Sequence, residues 1–317
     1  MTLIKRILLW LLVALILAYL ALCWHFSGVI LQTERPDKDI LLINTAATER
    51  LDRHLDVVEL DNALGESLNA WLFTPVTASP CVVVLAHGWG QTRLQVERFF
   101  RAFDRFGCAY VTFDHRAHGD RQSGPPGGGY LEKHDIVALS QWLRDTRGYA
   151  PEHIGFFGVS WGAATLLQAA ASLPAHGFVV ADSPFLNWQS AIFERGRRDY
   201  GDWVICIEPG IRLGLRLRTG FWYSEADTAK HASEIQTPVL LIHSRTDTKT
   251  DHRQSVELAQ SLPPERTRVL ITDWGADHIG DFDLDEPRYT ALVEDFILEF
   301  SDWEGFLAVP EESQPAP

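Results

Sequence analysis

Cysteine is scarce in this chain: Cys23, Cys81, Cys108 and Cys206 are the only four among 317 residues. No two stand in C-x-x-C spacing, so neither a zinc site nor a redox pair is suggested. Cys81 and Cys108 open apolar runs and read as small core residues; a disulfide between any two of the four is open to the sequence but not indicated by it. Unpaired thiols fit poorly with an extracytoplasmic domain. Positive charge is also in deficit. Lys and Arg number 28 against 42 Asp and Glu, a net −14, and a phosphate backbone would repel such a chain, which argues against a nucleic-acid partner. No G-x-G-x-x-G or P-loop follows the first buried run, so the nucleotide-binding versions of a wound sheet are not supported and no cofactor or metal is expected.

Lys, Arg, Asp and Glu are absent altogether from Ile7 to Leu31. That run is long enough to cross a bilayer of about 30 Å. Lys5 and Arg6 precede it, and positive residues stay cytoplasmic, so the N-terminus is expected inside and the rest of the chain on the non-cytoplasmic side. A cleaved signal peptide begins in the same way. No A-x-A site follows, however, and in Leu20-Ala21-Leu22-Cys23 a leucine stands where a lipoprotein cleavage box needs a small residue. Residues 1–31 therefore read as an uncleaved membrane anchor, apolar on all sides.

Residues 32–54 are polar and read as a juxtamembrane linker. Leu55–Leu60 and Leu68–Phe73 suggest a hairpin. Val82–Ala86 and Ala109–Phe113 are continuous apolar runs of the kind found in strands covered on both faces. Helical spacing over Gln95–Phe106 separates these two, and a second helix is expected over Leu131–Asp145. Strands are also expected at Phe178–Ala181, Pro238–Ser244 and Arg268–Thr272, with helices over Arg253–Leu262 and Arg288–Phe300. This alternation specifies a parallel sheet with helices on both faces. Residues 186–236 break the rhythm, rich in Trp, Arg and Gly, and read as a cap insertion of short helices over the site. Residues 303–317 are expected to be a disordered tail.

The chain is organised around Ile154-Gly155-Phe156-Phe157-Gly158-Val159-Ser160-Trp161-Gly162 and the Ala- and Leu-rich segment after it. An apolar run turning through G-x-S-x-G into a helix is the nucleophile-elbow context. The glycines remove Cβ atoms that would collide in so sharp a turn, and the serine is left pointing outward beside the free N–H groups of the first helical turn.

With these motifs in place, the chain resembles the α/β-hydrolase superfamily over residues 55–302. The resemblance implies an eight-stranded, mostly parallel sheet and a triad in the chain order Ser, Asp, His. Ser160 matches the nucleophile. Asp247, in Ile242-His243-Ser244-Arg245-Thr246-Asp247, follows the strand where the family places its acid, and His278, in Trp274-Gly275-Ala276-Asp277-His278, follows the last strand, where it places its base. Asp182 also ends a strand and stays open as an alternative acid.

The oxyanion hole implied by the resemblance uses the backbone N–H groups of Trp89, after the His87-Gly88 turn, and Trp161. Their indoles either form an apolar acyl pocket or pack the cap. His87 and His118 read as structural, hydrogen-bonded to loop backbone. Asp114-His115-Arg116-Ala117-His118-Gly119 resembles the family's D-x-R-G-H-G loop, with Ala117 in place of a glycine.

The expected activity is a serine esterase or thioesterase working through an acyl-enzyme, with a small-molecule or lipid-like acyl substrate favoured by the membrane anchor. Acyl transfer, peptide cleavage (though no propeller is evident) and a catalytically silent binding protein on the same fold are the alternatives.

Overall fold

The structure is a computed structural model and describes residues 3–33, 53–76, 79–121 and 124–307. One eight-stranded sheet runs through it in the order β1-β2-β4-β3-β5-β6-β7-β8. The strands are β1 Arg53–Asp61, β2 Ser67–Pro75, β3 Val82–Ala86, β4 Ala109–Phe113, β5 Ile154–Val159, β6 Phe178–Asp182, β7 Val239–Ser244 and β8 Thr267–Thr272. β1 and β2 form the expected hairpin, and β2 also runs antiparallel to β4; every later pairing is parallel. β3, β4, β5, β6 and β7 are buried along their whole length, in keeping with unbroken apolar sequence rather than alternation.

β3 lies between β4 and β5, so the chain leaves it in one direction and returns on the other side. The carboxyl ends of β3 and β5 therefore open a crevice at this switch point, where ligands of wound sheets bind.

The helices are α1 Leu3–Ile30, α2 Lys133–Asp145, α3 Trp161–Ala170, α4 Trp188–Tyr200, α5 Glu208–Thr219, α6 Arg253–Ala259, α7 Asp281–Leu284 and α8 Glu286–Phe300. Two apolar clusters cover the two faces of the sheet. One gathers Val84, Phe156, Ile136 and Leu166; the other gathers Val83, Phe99, Phe157 and Phe296. A third sits above the crevice and joins Cys23 of α1, Trp161 of α3 and Trp188, Ile211 and Leu215 of the cap.

Four expectations are corrected. Cys81 and Cys108 are not free core thiols but a disulfide with Cα atoms 4.7 Å apart. Each cysteine immediately precedes one of the paired strands β3 and β4, where Val82 faces Ala109, and that register sets them side by side. The segment expected as a helix over Gln95–Phe106 is a pair of 3-10 stretches, Arg93–Ala102 and Asp104–Phe106. The cap, expected to hold short helices only, contains α4 and α5 of 13 and 12 residues. The C-terminal segment is ordered past residue 302, because Trp303 is buried against Phe106 and Phe178 and donates Nε1–H to the Glu152 carbonyl at 2.8 Å. Residues 308–317 and most of the expected linker, residues 34–52, lie outside the described residues.

α1 is a single 28-residue helix with a mean hydropathy of 2.7 over an 18-residue window, long and apolar enough to cross a membrane. Its first four turns stand clear of the rest. Burial begins at Cys23 and Ser27, which face α5. There Gly210 and Gly214 form a small-xxx-small face, and a Cβ on either would be driven into Cys23 or Ser27. Arg218 completes the joint by donating from Nε to Ser27 Oγ and from Nη2 to the Trp24 carbonyl, both at 3.1 Å, with its guanidinium over the Trp24 ring.

Candidate active site

Ser160 terminates β5 and begins α3 with φ 52° and ψ −111°, a backbone conformation that costs an L-residue energy and is held here by its surroundings. Its N–H donates to the Asp182 carbonyl at 2.7 Å, tying the elbow to β6. Gly162 passes so close to the end of β3 that a Cβ would meet the Ala86 and His87 carbonyls, and a Cβ on Gly158 would meet α3 itself. Both glycines are therefore required by close approach, and the loop after β3 is held beside the serine.

The three side chains singled out in the sequence converge. His278 Nε2 is 2.8 Å from Ser160 Oγ, and His278 Nδ1 is 2.6 Å from Asp247 Oδ2. The acid and base loops are pinned together: Ser244 Oγ and Thr246 Oγ1 both donate to the Ala276 carbonyl, and Thr248 donates from N and Oγ1 to Asp277 Oδ1. Ile279, directly after the histidine, has φ 53°, an unusual left-handed conformation for a β-branched residue.

Asp247 has a fully buried side chain. Burial by itself pushes its carboxyl up, but hydrogen bonds from His243 and His278, the electrostatic attraction of the His278 ring and the Thr250 N–H outweigh that and hold it well below the usual range. It is an anion that accepts a hydrogen bond, and so keeps the proton of neutral His278 on Nδ1 and leaves Nε2 free to accept from serine.

His243, four residues before the acid, is a functional contact that the sequence motif did not assign. Its Nε2 faces Asp247 Oδ2 at 3.1 Å and the Thr250 carbonyl at 3.0 Å, while Nδ1 faces Ser255 Oγ at 2.7 Å. The available signal was its place four residues before the acid, at the end of a buried strand.

Asp182, the alternative acid, is not the carboxylate that meets His278. Its oxygens accept from Ser183 Oγ at 2.8 Å and Tyr289 Oη at 2.9 Å, and burial raises its pKa to about 6.

The rings of Trp89 and Trp161 lie 4.8 Å apart beside the serine. Neither backbone N–H has an acceptor among the described residues. The peptide joining Gly88 to Trp89 is oriented by His87: the ring accepts the His115 N–H at Nε2, 3.0 Å away, so its proton is on Nδ1 and is donated to the Gly88 carbonyl at 2.8 Å. In a trans peptide that turns the Trp89 N–H the opposite way. Burial pushes the pKa of His87 well down and that of His118 to about 4, so both rings are neutral structural donors, and His118 Nδ1 is 3.0 Å from the Arg116 carbonyl.

Above Ser160 and His278 lies a cavity of about 350 Å³. Trp89, Trp161 and Phe185 line it together with Trp188, Ile192, Val204 and Ile211 of the cap, and Arg195, Arg198, Asp199 and Lys249 also border it; the indoles of Trp89 and Trp161 thus serve pocket and cap packing together. Among the described residues no cluster of His, Cys, Asp and Glu has the arrangement of a metal site.

Sheet order, elbow and converging loops define an α/β-hydrolase of the esterase and peptidase kind. More narrowly, the chain belongs to the prolyl oligopeptidase family, whose family model matches residues 127–302. The uncharacterized protein YqkD of Bacillus subtilis (strain 168) is 25% identical over 299 residues, 91% of this chain and 96% of that one. Among solved structures, the Pyrococcus furiosus esterase Pf2001 superposes with a TM-score of 0.64 at 20% identity, covering 80% of this chain and 95% of its own. A 2,6-dihydroxy-pseudo-oxynicotine hydrolase also scores 0.64, at 18% identity over 85% of this chain and 74% of its own. At these identities the likeness is one of fold.

Proposed function

We propose that the protein is a membrane-anchored serine hydrolase that cleaves esters or thioesters of lipid-like acyl groups through an acyl-enzyme. The observation that carries this reading is the hydrogen-bonded series from Ser160 Oγ through His278 to Asp247, opening into a mainly apolar pocket. Ser160 Oγ attacks the acyl carbon as His278 Nε2 takes its proton, and the N–H groups of Trp89 and Trp161 receive the oxyanion. His278 then returns the proton to the leaving alcohol or thiol as the C–O or C–S bond breaks. Water, deprotonated by the same nitrogen, releases the acid and restores the serine. Asp247 keeps the ring in the working tautomer and stabilises its cation.

The α1 helix supports an anchor, with Lys5 and Arg6 on the cytoplasmic side. The Cys81–Cys108 disulfide supports a catalytic domain in an oxidising, non-cytoplasmic compartment. Amide cleavage is the second reading, favoured by the match to the prolyl oligopeptidase family.

A fluorophosphonate probe tests the chemistry directly. Labelling of the wild type and its loss in Ser160→Ala are expected, whereas labelling that survives this substitution rules the serine out. Parallel turnover of p-nitrophenyl acyl esters and acyl p-nitroanilides separates the two readings; faster anilide cleavage would favour the peptidase.

A further inference from the structure

The pocket over Ser160 is not closed by the cap alone. Phe26, Val29 and Ile30, from the last turns of α1, form part of its wall. At a rise of 1.5 Å per residue, roughly 20 residues cross the hydrocarbon of a bilayer. Counted from Ile7, the first residue after the cations Lys5 and Arg6, such a span ends at Phe26, one helical turn past Cys23. The free part of α1 ends at that earlier turn, because burial against the cap starts at Cys23. Membrane exit, cap contact and pocket wall therefore coincide within two helical turns.

The side chains at this level match a membrane interface. Trp24, Tyr200 and Trp203 are each about half exposed, and the Phe26 ring meets Tyr200 and Trp203 edge-on at 5.0 and 5.6 Å. Arg218 lies over Trp24 at 3.8 Å. Aromatic rings with a cation among them are typical of the headgroup boundary, where an apolar body and a polar tip are both satisfied. Gly210 sits against Tyr19 and Cys23, so the start of α5 and the preceding Trp203–Ile207 tip reach down to this boundary, with Ile205 exposed.

We propose that the anchor is part of the substrate site: the cap tip rests in the bilayer interface, and an acyl chain passes from the lipid phase along Phe26, Val29 and Ile30 to Ser160. The proposal rests on the serine-hydrolase reading and adds the source and path of the substrate. The three α1 residues then determine acyl-chain specificity, a task no tethering helix would otherwise have.

The test uses the full chain in phosphatidylcholine nanodiscs. Val29→Trp and Ile30→Trp should each lower the ratio of hexadecanoyl-ester to butanoyl-ester turnover about tenfold, the scale of a blocked apolar subsite. An unchanged ratio in both variants overturns the proposal. A second measurement needs no substitution: a hexadecyl fluorophosphonate carrying a diazirine along its chain is bound to the wild type and photolysed. Crosslinks to the peptide spanning residues 23–31 are expected, and crosslinks confined to α4 overturn the proposal. If the wild type takes up no fluorophosphonate, the serine-hydrolase reading fails and this inference with it; labelled protein without an α1 crosslink sinks the inference alone.

Discussion

His243 Nε2 lies 3.1 Å from Asp247 Oδ2, the oxygen that also holds His278 Nδ1 at 2.6 Å. A second histidine thus fixes the carboxylate from behind, braced in turn by Ser255 and the Thr250 carbonyl. His243→Phe keeps the volume and removes the bond, and kcat for a short ester should fall about tenfold, the value of one charge-assisted hydrogen bond. Asp247→Asn should cost about four orders of magnitude, because the amide no longer enforces the tautomer. Steady-state kinetics on both variants checks this; an undiminished kcat in His243→Phe would remove the histidine from the mechanism.

Asp182 offers the opposite pH signature. Its folded-state pKa of about 6 lies above the ordinary 3.8, so the native state binds the extra proton between those values. The stability this group supplies is complete below about pH 4 and is lost as pH rises through 6. Asp182→Asn, whose amide can pair with the Ser183 and Tyr289 hydroxyls, should be more stable than the wild type at pH 8 by about 2–3 kcal/mol and nearly equal to it at pH 4. Melting temperatures at the two pH values would show it, and a pH-independent difference would refute it.

The Cys81–Cys108 disulfide closes a loop with a sequence separation of 27. Cys81→Ala with Cys108→Ala should cost about 3 kcal/mol by freeing that loop in the unfolded state. Mass spectrometry of alkylated protein provides the complementary result: with the domain outside the cytoplasm, only Cys23 and Cys206 should react after denaturation without reductant. Four alkylated cysteines would place the domain in a reducing compartment.

Gly210 and Gly214 let α5 approach α1. Gly210→Leu and Gly214→Leu together should part the two helices and bare Ile211 and Leu215. In detergent, trypsin should then cut at Arg212, Arg216 or Arg218 faster than in the wild type by about tenfold, in proportion to the open population. Equal digestion rates would mean that the helix joint contributes little.

Ala117 carries φ 62° in the loop between β4 and α2, and its carbonyl accepts from Thr33 Oγ1. Ala117→Gly should raise stability by about 1 kcal/mol, since only glycine adopts this conformation without a steric penalty. Denaturant midpoints measure it; a lower midpoint would show that the loop tolerates alanine for a packing reason.

Local patterns carried much of this protein. Continuous apolar strands, the hairpin, the G-x-S-x-G elbow and the uncharged helix were all legible because each is written in neighbouring residues whose period or backbone demand is local. Ser160, Asp247 and His278 could be named from chain order because parallel strands deliver their carboxyl ends to one edge. What only the tertiary structure decided depends on register and on contacts across long separations. Cys81 meets Cys108 because two parallel strands align one residue later. Trp303 is buried, and so helical rather than frayed, because a pocket from Phe106 and Phe178 awaits it. His243 supports the acid only once its strand is flanked by α6. The N-terminal helix α1, apolar on every side, gives no sign in its own sequence of which face will dock; that choice was made by two glycines nearly 190 residues away, where a missing Cβ leaves room for Cys23 and Ser27.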